Sequence, residues 1–368
     1  MARAVRGTEP LVAAEIRGTR LGAVVGVRHR EVWFEARPGA ELLGLRTADD
    51  VLMAATVVDG VGHDRAALAR LARAARALDV DGPPGGDLEV SASFVGRRNY
   101  NRYEVEDAVG AELAHTGGLR YHSRRDGGRP PSGAMAWRVT IEGEVAVIAR
   151  RAGDRPLHRR AYKTASVAGT LHPPLAAAMA RLAGLDGYTG TVLDPCCGAG
   201  TTLIEARALA PRARLLGFDR DPAALRAATT NARAARENAG ARAAGRDGSA
   251  RAGLGVTGGW GLADAGRIPV ADGSVGRVLV NPPWGRQVPP RGLLGHGLDP
   301  LWREVRRILT PGGLAVALLY DEPDGDVRVG GPGGVAGGFV VEEVIRVSLS
   351  GRHPVIAVLR RRGRASRG

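Results

Sequence analysis

The run VLVNPPWG, residues 278–285, joins a short apolar stretch to groups that suit an amine. Proline has no amide hydrogen to give a sheet ladder, so a strand arriving through Val278–Val280 must stop before Pro282 and Pro283. The Asn281 side-chain oxygen and the Pro282 carbonyl can accept both hydrogens of one –NH2 group. The prolines hold that acceptor pair rigid and add no competing donor. Trp284 offers a π-face to a nucleobase, a contact worth about 1–3 kcal/mol. Asn281, Pro282, Pro283 and Trp284 are therefore candidate catalytic residues. They could grip the exocyclic amine of an extruded base and turn its lone pair toward an electrophile. A Pro-Pro turn with a core-packed Trp is the plain alternative.

A second stretch, VLDPCCGAGTTLIEA (192–206), runs from an apolar strand through Asp194 and a Gly-Ala-Gly turn into a helix opened by Thr201 and Thr202. Glycines let a backbone pass close to a ligand, and the carboxyl end of a strand is where an open α/β sheet binds one. A dinucleotide fingerprint would place a third glycine where Leu203 stands, and a phosphate loop would carry a lysine that is missing here. A nucleoside-type cofactor without a pyrophosphate fits better. Asp219 ends the next strand and could accept both ribose hydroxyls. Asp264 ends the third and could accept from an adenine amino group, with the Ala265 amide beside it. Each Asp alone reads as a helix N-cap; three in register beside a glycine turn point to the cofactor.

Bringing these strand ends together requires a mainly parallel sheet. From residue 190 onward, TVLD (191–194), RLLGFD (214–219), GWGLAD (259–264), RVLVN (277–281) and LAVALLY (314–320) alternate with helical patterns at 203–209, 222–238 and 300–309. That alternation predicts βαβ units with helices on both faces. FVVEEVIRVSL and HPVIAVLRR lack an intervening helix and predict a hairpin closing one edge. Glycine-rich insertions at 239–259 and 324–338 read as surface loops. Residues 1–160 differ. LVAAEIRG and AALARLARAARAL read as helices, and AVVGV, EVWFEA, LEVSASF and WRVTIEGEVAVIA as strands, an α+β pattern with a seam at DGPPGGD (81–87). A further helix is predicted over 172–182.

The chain carries 52 basic and 38 acidic residues, a net charge of +14, which favours a polyanionic partner such as nucleic acid. Codon bias explains why Lys163 is the sole lysine but not the basic excess. GRRNYNR sets Arg97, Arg98 and Arg102 around Tyr100, basic groups interleaved with an aromatic, as an RNA-binding candidate. The two cysteines, Cys196 and Cys197, are adjacent, so neither a disulfide framework nor a zinc-type spacing exists. No apolar run is long enough for a membrane span and no signal peptide is read, so a cytoplasmic protein without metal is expected.

The motifs DPCCGAGT, GFDRD, LADA and NPPWG together resemble the Rossmann-like S-adenosylmethionine-dependent methyltransferases. NPPW is the variant shared by enzymes that methylate amino nitrogens. YKTASVAGTLHPPLAAAMARLAG (162–184) resembles the segment preceding the glycine motif in guanine-N2 RNA methyltransferases. VSASFVGRRNYNRYEVEDAVGAEL with PLHRRAY resembles a THUMP RNA-binding domain, and VRGTEPLVAAEI with LLGLRTADDVL its ferredoxin-like lead-in. The resemblance covers nearly the whole chain and is closest to the tRNA guanine-N2 methyltransferases of the acceptor stem. It implies a ferredoxin-like region over 1–80, a THUMP-type domain over 81–160, a class I methyltransferase domain with a seven-stranded sheet over 161–362, and a basic tail at 363–368.

By position, the resemblance places Asp194, Gly198 and Gly200 at the methionine end of S-adenosylmethionine, and Thr170 and Leu171 near its carboxylate. Asp219 would hold the ribose, Asp264 and Ala265 the adenine; Cys197 and Thr201 complete the binding loop, the thiols packing and not attacking. Asn281, Pro282 and Trp284 would hold a guanine of tRNA, in a protein expected to act as a monomer. Ribosomal RNA guanine-N2 and adenine-N6 in DNA or RNA are the rival targets. A thiouridine-forming enzyme would need an S-G-G-x-D-S-type loop, which the sequence lacks. A non-catalytic RNA binder would not need the set Asp194, Asp219, Asp264 and Asn281.

Overall fold

The structure is a computed structural model that describes residues 1–244, 258–284, 288–320, 338–349 and 351–363. The first half carries β1 (Ala2–Arg3), α1 (Glu9–Gly18), β2 (Gly22–Arg28), β3 (Glu31–Ala36), β4 (Asp50–Val58), α2 (Ala66–Arg76), β5 (Asp87–Phe94), α3 (Arg102–Gly117), β6 (Arg120–Tyr121), β7 (Met135–Glu142) and β8 (Val145–Arg151). Its strands form one sheet in the order β2-β3-β1-β4-β8-β7-β5-β6. Alternation drives β5: Leu88, Val90 and Ala92 turn into the core while their neighbours stay half-buried. In α2 the buried residues Ala67, Leu71 and Ala75 recur every four positions and make one apolar stripe. Asn101 starts α3 with a reciprocal capping box to Glu104, and Gly118, in the left-handed region, ends it.

The division expected at residue 80 does not follow the packing. α2, from before the seam, shares one buried cluster with β5, α3 and β7 from after it, and β4 pairs with β8 across the seam. β4 has no readable signal in the sequence: its first three residues are buried but the next three are exposed, so no period of two emerges.

The second half continues with α4 (Pro173–Leu182), β9 (Thr191–Asp194), α5 (Thr201–Leu209), β10 (Arg214–Asp219), α6 (Pro222–Ala244), β11 (Gly258–Leu262), β12 (Val275–Val280), α7 (Asp299–Ile308), β13 (Leu309–Leu319), β14 (Phe339–Arg346) and β15 (Val355–Arg361). The sheet order is β11-β10-β9-β12-β13-β15-β14, parallel throughout except for β15, which runs antiparallel between β13 and β14. The expected hairpin is thus present, with its second strand inserted and its first at the edge. Successive residues of the central strands serve opposite cores. Val192 and Leu279 pack against α4 and α5, whereas Leu193 and Val278 pack against α7. This is the doubly wound class I arrangement, with strand order reversing at β9, where an open sheet offers its ligand crevice. Of the insertion read at 239–259, residues up to Ala244 continue α6 and Gly258 already belongs to β11. Residues 245–257, 321–337 and 364–368 lie outside the described residues.

Polar contacts fix the two halves to each other. Glu205 on α5, fully buried, accepts from the Arg46 Nε at 2.8 Å, the Arg160 Nε at 3.0 Å and the Tyr162 hydroxyl at 2.8 Å. Burial disfavours the Arg46 charge, but Glu205 more than offsets it and holds the guanidinium pKa above its ordinary value. Glu15 of α1 takes the Thr47 amide at 2.8 Å and the Arg181 guanidinium of α4 at 3.1 Å. Removing Glu205 would take the shared carboxylate from both Arg46 and Arg160, the costly way to break a buried pair. The N-terminal chain also reaches the second half: Arg6 bridges Ser348, and Val5 joins the core around α4 and α5.

Candidate active site

The carboxyl ends of β11, β10, β9 and β12 lie side by side, and their loops wall a cavity of about 520 Å³. Every candidate cofactor residue lines it except Gly200: Thr170, Leu171, Asp194, Cys197, Gly198, Thr201, Asp219, Asp264 and Ala265. So do Asn281, Pro282, Pro283 and Trp284. Thr170 and Asn281, far apart in sequence, thereby share one wall.

The glycine turn is held open by geometry that only glycine adopts without strain. Gly198 and Gly200 have φ of +52° and +80°. A side chain on Gly200 would also meet the Trp260 indole, so Gly200 packs the loop against β11 rather than facing the cavity. Asp194 is buried and accepts from the Cys196 amide at 2.9 Å and from the Thr202 hydroxyl. Burial pushes its carboxyl up to about 7, and the Asp219 charge adds to the shift against those hydrogen bonds. Asp219 accepts from the Gly198 amide at 2.9 Å and the Asp221 amide at 2.9 Å, tying β10 to the turn. Asp264 takes the Gly266 amide at 2.9 Å and the Leu293 amide at 3.1 Å, which brings the 288–294 segment to the cavity. Burial raises both thiol pKa values, so Cys196 and Cys197 stay neutral packing groups.

Two buried polar atoms in the cavity wall have no partner among the described residues: the Thr201 hydroxyl and the Asn281 Oδ1. The Asn281 Nδ2 donates to the Gly169 carbonyl at 3.3 Å, and since a carbonyl can only accept, this contact orients the amide with Oδ1 the other way. An unmet buried acceptor costs about 1–3 kcal/mol, relieved when a donor arrives. Thr201 sits at the first turn of α5, where free amides and the helix dipole favour an anion such as a carboxylate. The donor set therefore fits an amino-acid nucleoside. Its carboxylates could accept from a ribose and a base, and the helix N-terminus with the Thr201 hydroxyl could meet a carboxylate. Among the described residues no group of three or more His, Cys, Asp or Glu could hold a metal ion, and no helix is long and apolar enough to cross a membrane.

Two expectations are corrected. Trp284 does not hold an open π-face: its ring stacks on Tyr320, and the Arg352 guanidinium stands over it at 4.8 Å. At GRRNYNR, Tyr100 is a core residue whose hydroxyl donates to the Gly62 carbonyl at 3.0 Å. Arg98 spends its guanidinium on the carbonyls of Gly62 at 3.0 Å and Gly143 at 2.6 Å and lies against Phe94 and Tyr100. Both hold the loop from inside. Of the four candidates only Arg97 and Arg102 are exposed, the latter stacked on Tyr103.

Sequence reasoning did not single out Val167, Gly169 or Asn231. Asn231 had a readable signal. It continues the buried row Ala224, Ala227, Ala228 of α6 at helical spacing, and an amide on an apolar stripe needs partners.

Residues 160–324 match the family model described as UPF0020, RMKL-like, methyltransferase domain. The chain is 31% identical over 345 residues to the tRNA (guanine(6)-N2)-methyltransferase of Thermus thermophilus, covering 92% of this chain and 91% of that one. It superposes on the crystal structure of TrmN from Thermus thermophilus with a TM-score of 0.72, 29% identity and 98% of each chain covered. A ribosomal RNA large subunit methyltransferase K/L of Methylococcus capsulatus is 30% identical over 229 residues, 57% of this chain but 28% of that protein.

Proposed function

We propose, from the premise that the chain belongs to the RMKL-like methyltransferase family, that it methylates the exocyclic N2 of a guanine in tRNA with S-adenosylmethionine as donor. The observation that carries the reading is the Asn281 Oδ1, without a partner among the described residues, in the wall of the cavity lined by Asp194, Asp219 and Asp264. The tRNA assignment is supported by the Thermus relative, which matches both halves of the chain, whereas the ribosomal relative matches little of its own length.

S-adenosylmethionine, when bound, supplies a sulfonium methyl that N2 takes up as the methyl–sulfur bond breaks and one N2 proton passes to water. Thr201, Gly198 and the 170–171 backbone would hold the methionine end, Asp219 the ribose, and Asp264 with Ala265 the adenine. The guanine N2 lone pair is delocalised into the ring and is a poor nucleophile. Asn281 Oδ1 and the Pro282 carbonyl accept its two hydrogens, favour pyramidalisation and stabilise the positive charge that develops. Positioning supplies much of the rest, through prolines that keep this pair from moving. A THUMP-type first half would hold the tRNA body, with Arg97 and Arg102 on its surface, in a cytoplasmic setting.

The test is methyl transfer to unmodified tRNA transcripts followed by mass spectrometry of the nucleosides. N2-methylguanosine in tRNA is the expected product. N6-methyladenosine, or methylation of ribosomal RNA fragments alone, would overturn the substrate assignment.

A further inference from the structure

Asn231 lies on α6, outside the cavity, fully buried. It uses its entire amide. Oδ1 accepts from the backbone N–H of Thr164 at 3.0 Å and of Ala165 at 2.9 Å. Nδ2 donates to the Ala165 carbonyl at 2.9 Å and to the Ala199 carbonyl at 3.0 Å. Three of these bonds hold residues 164–165, the start of a strap whose continuation, Val167–Leu171, lines the cavity. The fourth holds the glycine turn, which lines the same cavity and comes close to the strap at Val167. One side chain therefore ties two segments of the cavity wall to each other.

The strap also reaches the chemistry. The Gly169 carbonyl, in a turn with Gly169 at φ +72°, receives the Asn281 Nδ2. The Thr170 hydroxyl closes that turn on Val167, accepting from its amide at 3.1 Å and donating to its carbonyl at 2.5 Å. The strap has little regular structure of its own between Lys163 and His172. Its position depends on what it is tied to, and its first tie is Asn231. A helix interior is a poor place for Asn unless its amide is used, and here each donor and acceptor meets backbone.

We propose that Asn231 is a positioning residue: through the strap and the glycine turn it sets the width of the cofactor cavity and, through Gly169, the orientation of the Asn281 amide. The inference rests on the reading of Asn281 as the amine clamp, but its first consequence concerns cofactor affinity alone. Asn231→Asp keeps the shape and both acceptors while removing the donors to Ala165 and Ala199. Substitution by Asp weakens S-adenosylhomocysteine binding at least 10-fold by calorimetry and lowers kcat at saturating cofactor at least 30-fold. KM for tRNA changes less than twofold. Ile141→Val, which trims a buried side chain in the core of the first half, serves as a destabilised control with normal cofactor affinity. An Asn231→Asp protein with wild-type S-adenosylhomocysteine affinity would overturn the proposal. If the affinity falls as stated but wild-type enzyme methylates no guanine, the positioning role stands and the substrate reading fails. Should the variant not fold, hydrogen exchange on the wild type decides: a peptide spanning 162–171 gains protection when S-adenosylhomocysteine binds, and unchanged exchange there would refute the coupling.

Discussion

Trp284 and Tyr320 stack with ring centroids 3.3 Å apart and planes inclined by 19°, joining the end of the NPPW turn to the end of β13. Burial pushes the Tyr320 hydroxyl up to about 12 despite the nearby Arg352, so the ring stays neutral at working pH. Trp284 is thus a braced wall of the cavity. Tyr320→Ala should lower kcat/KM for tRNA about 10-fold, equivalent to about 1.4 kcal/mol. S-adenosylhomocysteine affinity should not change, and an equal loss there would show that the brace serves the cofactor instead.

Asp194 should make cofactor binding pH-dependent. Its folded-state pKa, raised to about 7 mainly by burial, lies above the ordinary carboxyl value of 3.8. The ionised form therefore costs the free protein stability above pH 7, and that cost is relieved as pH falls from 7 toward 4. A ligand bearing an ammonium group beside Asp194 favours the ionised form, so binding below pH 7 must first remove a proton. Calorimetry with S-adenosylhomocysteine should show affinity falling from pH 8 to pH 5.5. Asp194→Asn should flatten that dependence, and a variant that titrates as the wild type does would place the proton elsewhere.

The loop at 97–102 separates surface from support. Arg97→Glu and Arg102→Glu should weaken tRNA binding and reduce its salt slope by about one for each phosphate no longer neutralised. Arg98→Ala should instead lower the melting temperature, because the Gly143 carbonyl loses its side-chain donor and the Gly62 carbonyl keeps only the Tyr100 hydroxyl of its two. Fluorescence binding at several salt concentrations and thermal scans distinguish the two classes. Equal salt slopes for Arg97→Glu and wild type would remove Arg97 from the interface.

The methyltransferase half was legible because its central strands β9 and β12 are short, apolar and largely buried, and because the candidate residues sit where strands stop. TVLD matches β9 to the residue, and Asp194, Asp219, Asp264 and Asn281 were readable as a row before their strands were seen to be neighbours. What was hidden depends on contacts between distant segments. Nothing near Trp284 in sequence announces Tyr320, and Tyr100 inside a basic run looks like a stacking platform until Gly62 is found beneath its hydroxyl. The 1–80 division failed for the same reason. β4 and α2 find their partners, β8 and α3, only beyond the Pro-Gly seam.

The amide of Asn281 carries the account, and replacing it tests the account most directly. Single-turnover methyl transfer by Asn281→Ala, at saturating tRNA and S-adenosylmethionine, should fall at least 100-fold, about 2.7 kcal/mol or more in the barrier, with tRNA affinity kept. Turnover within a few-fold of wild type under those conditions would mean that the amine is held by something else.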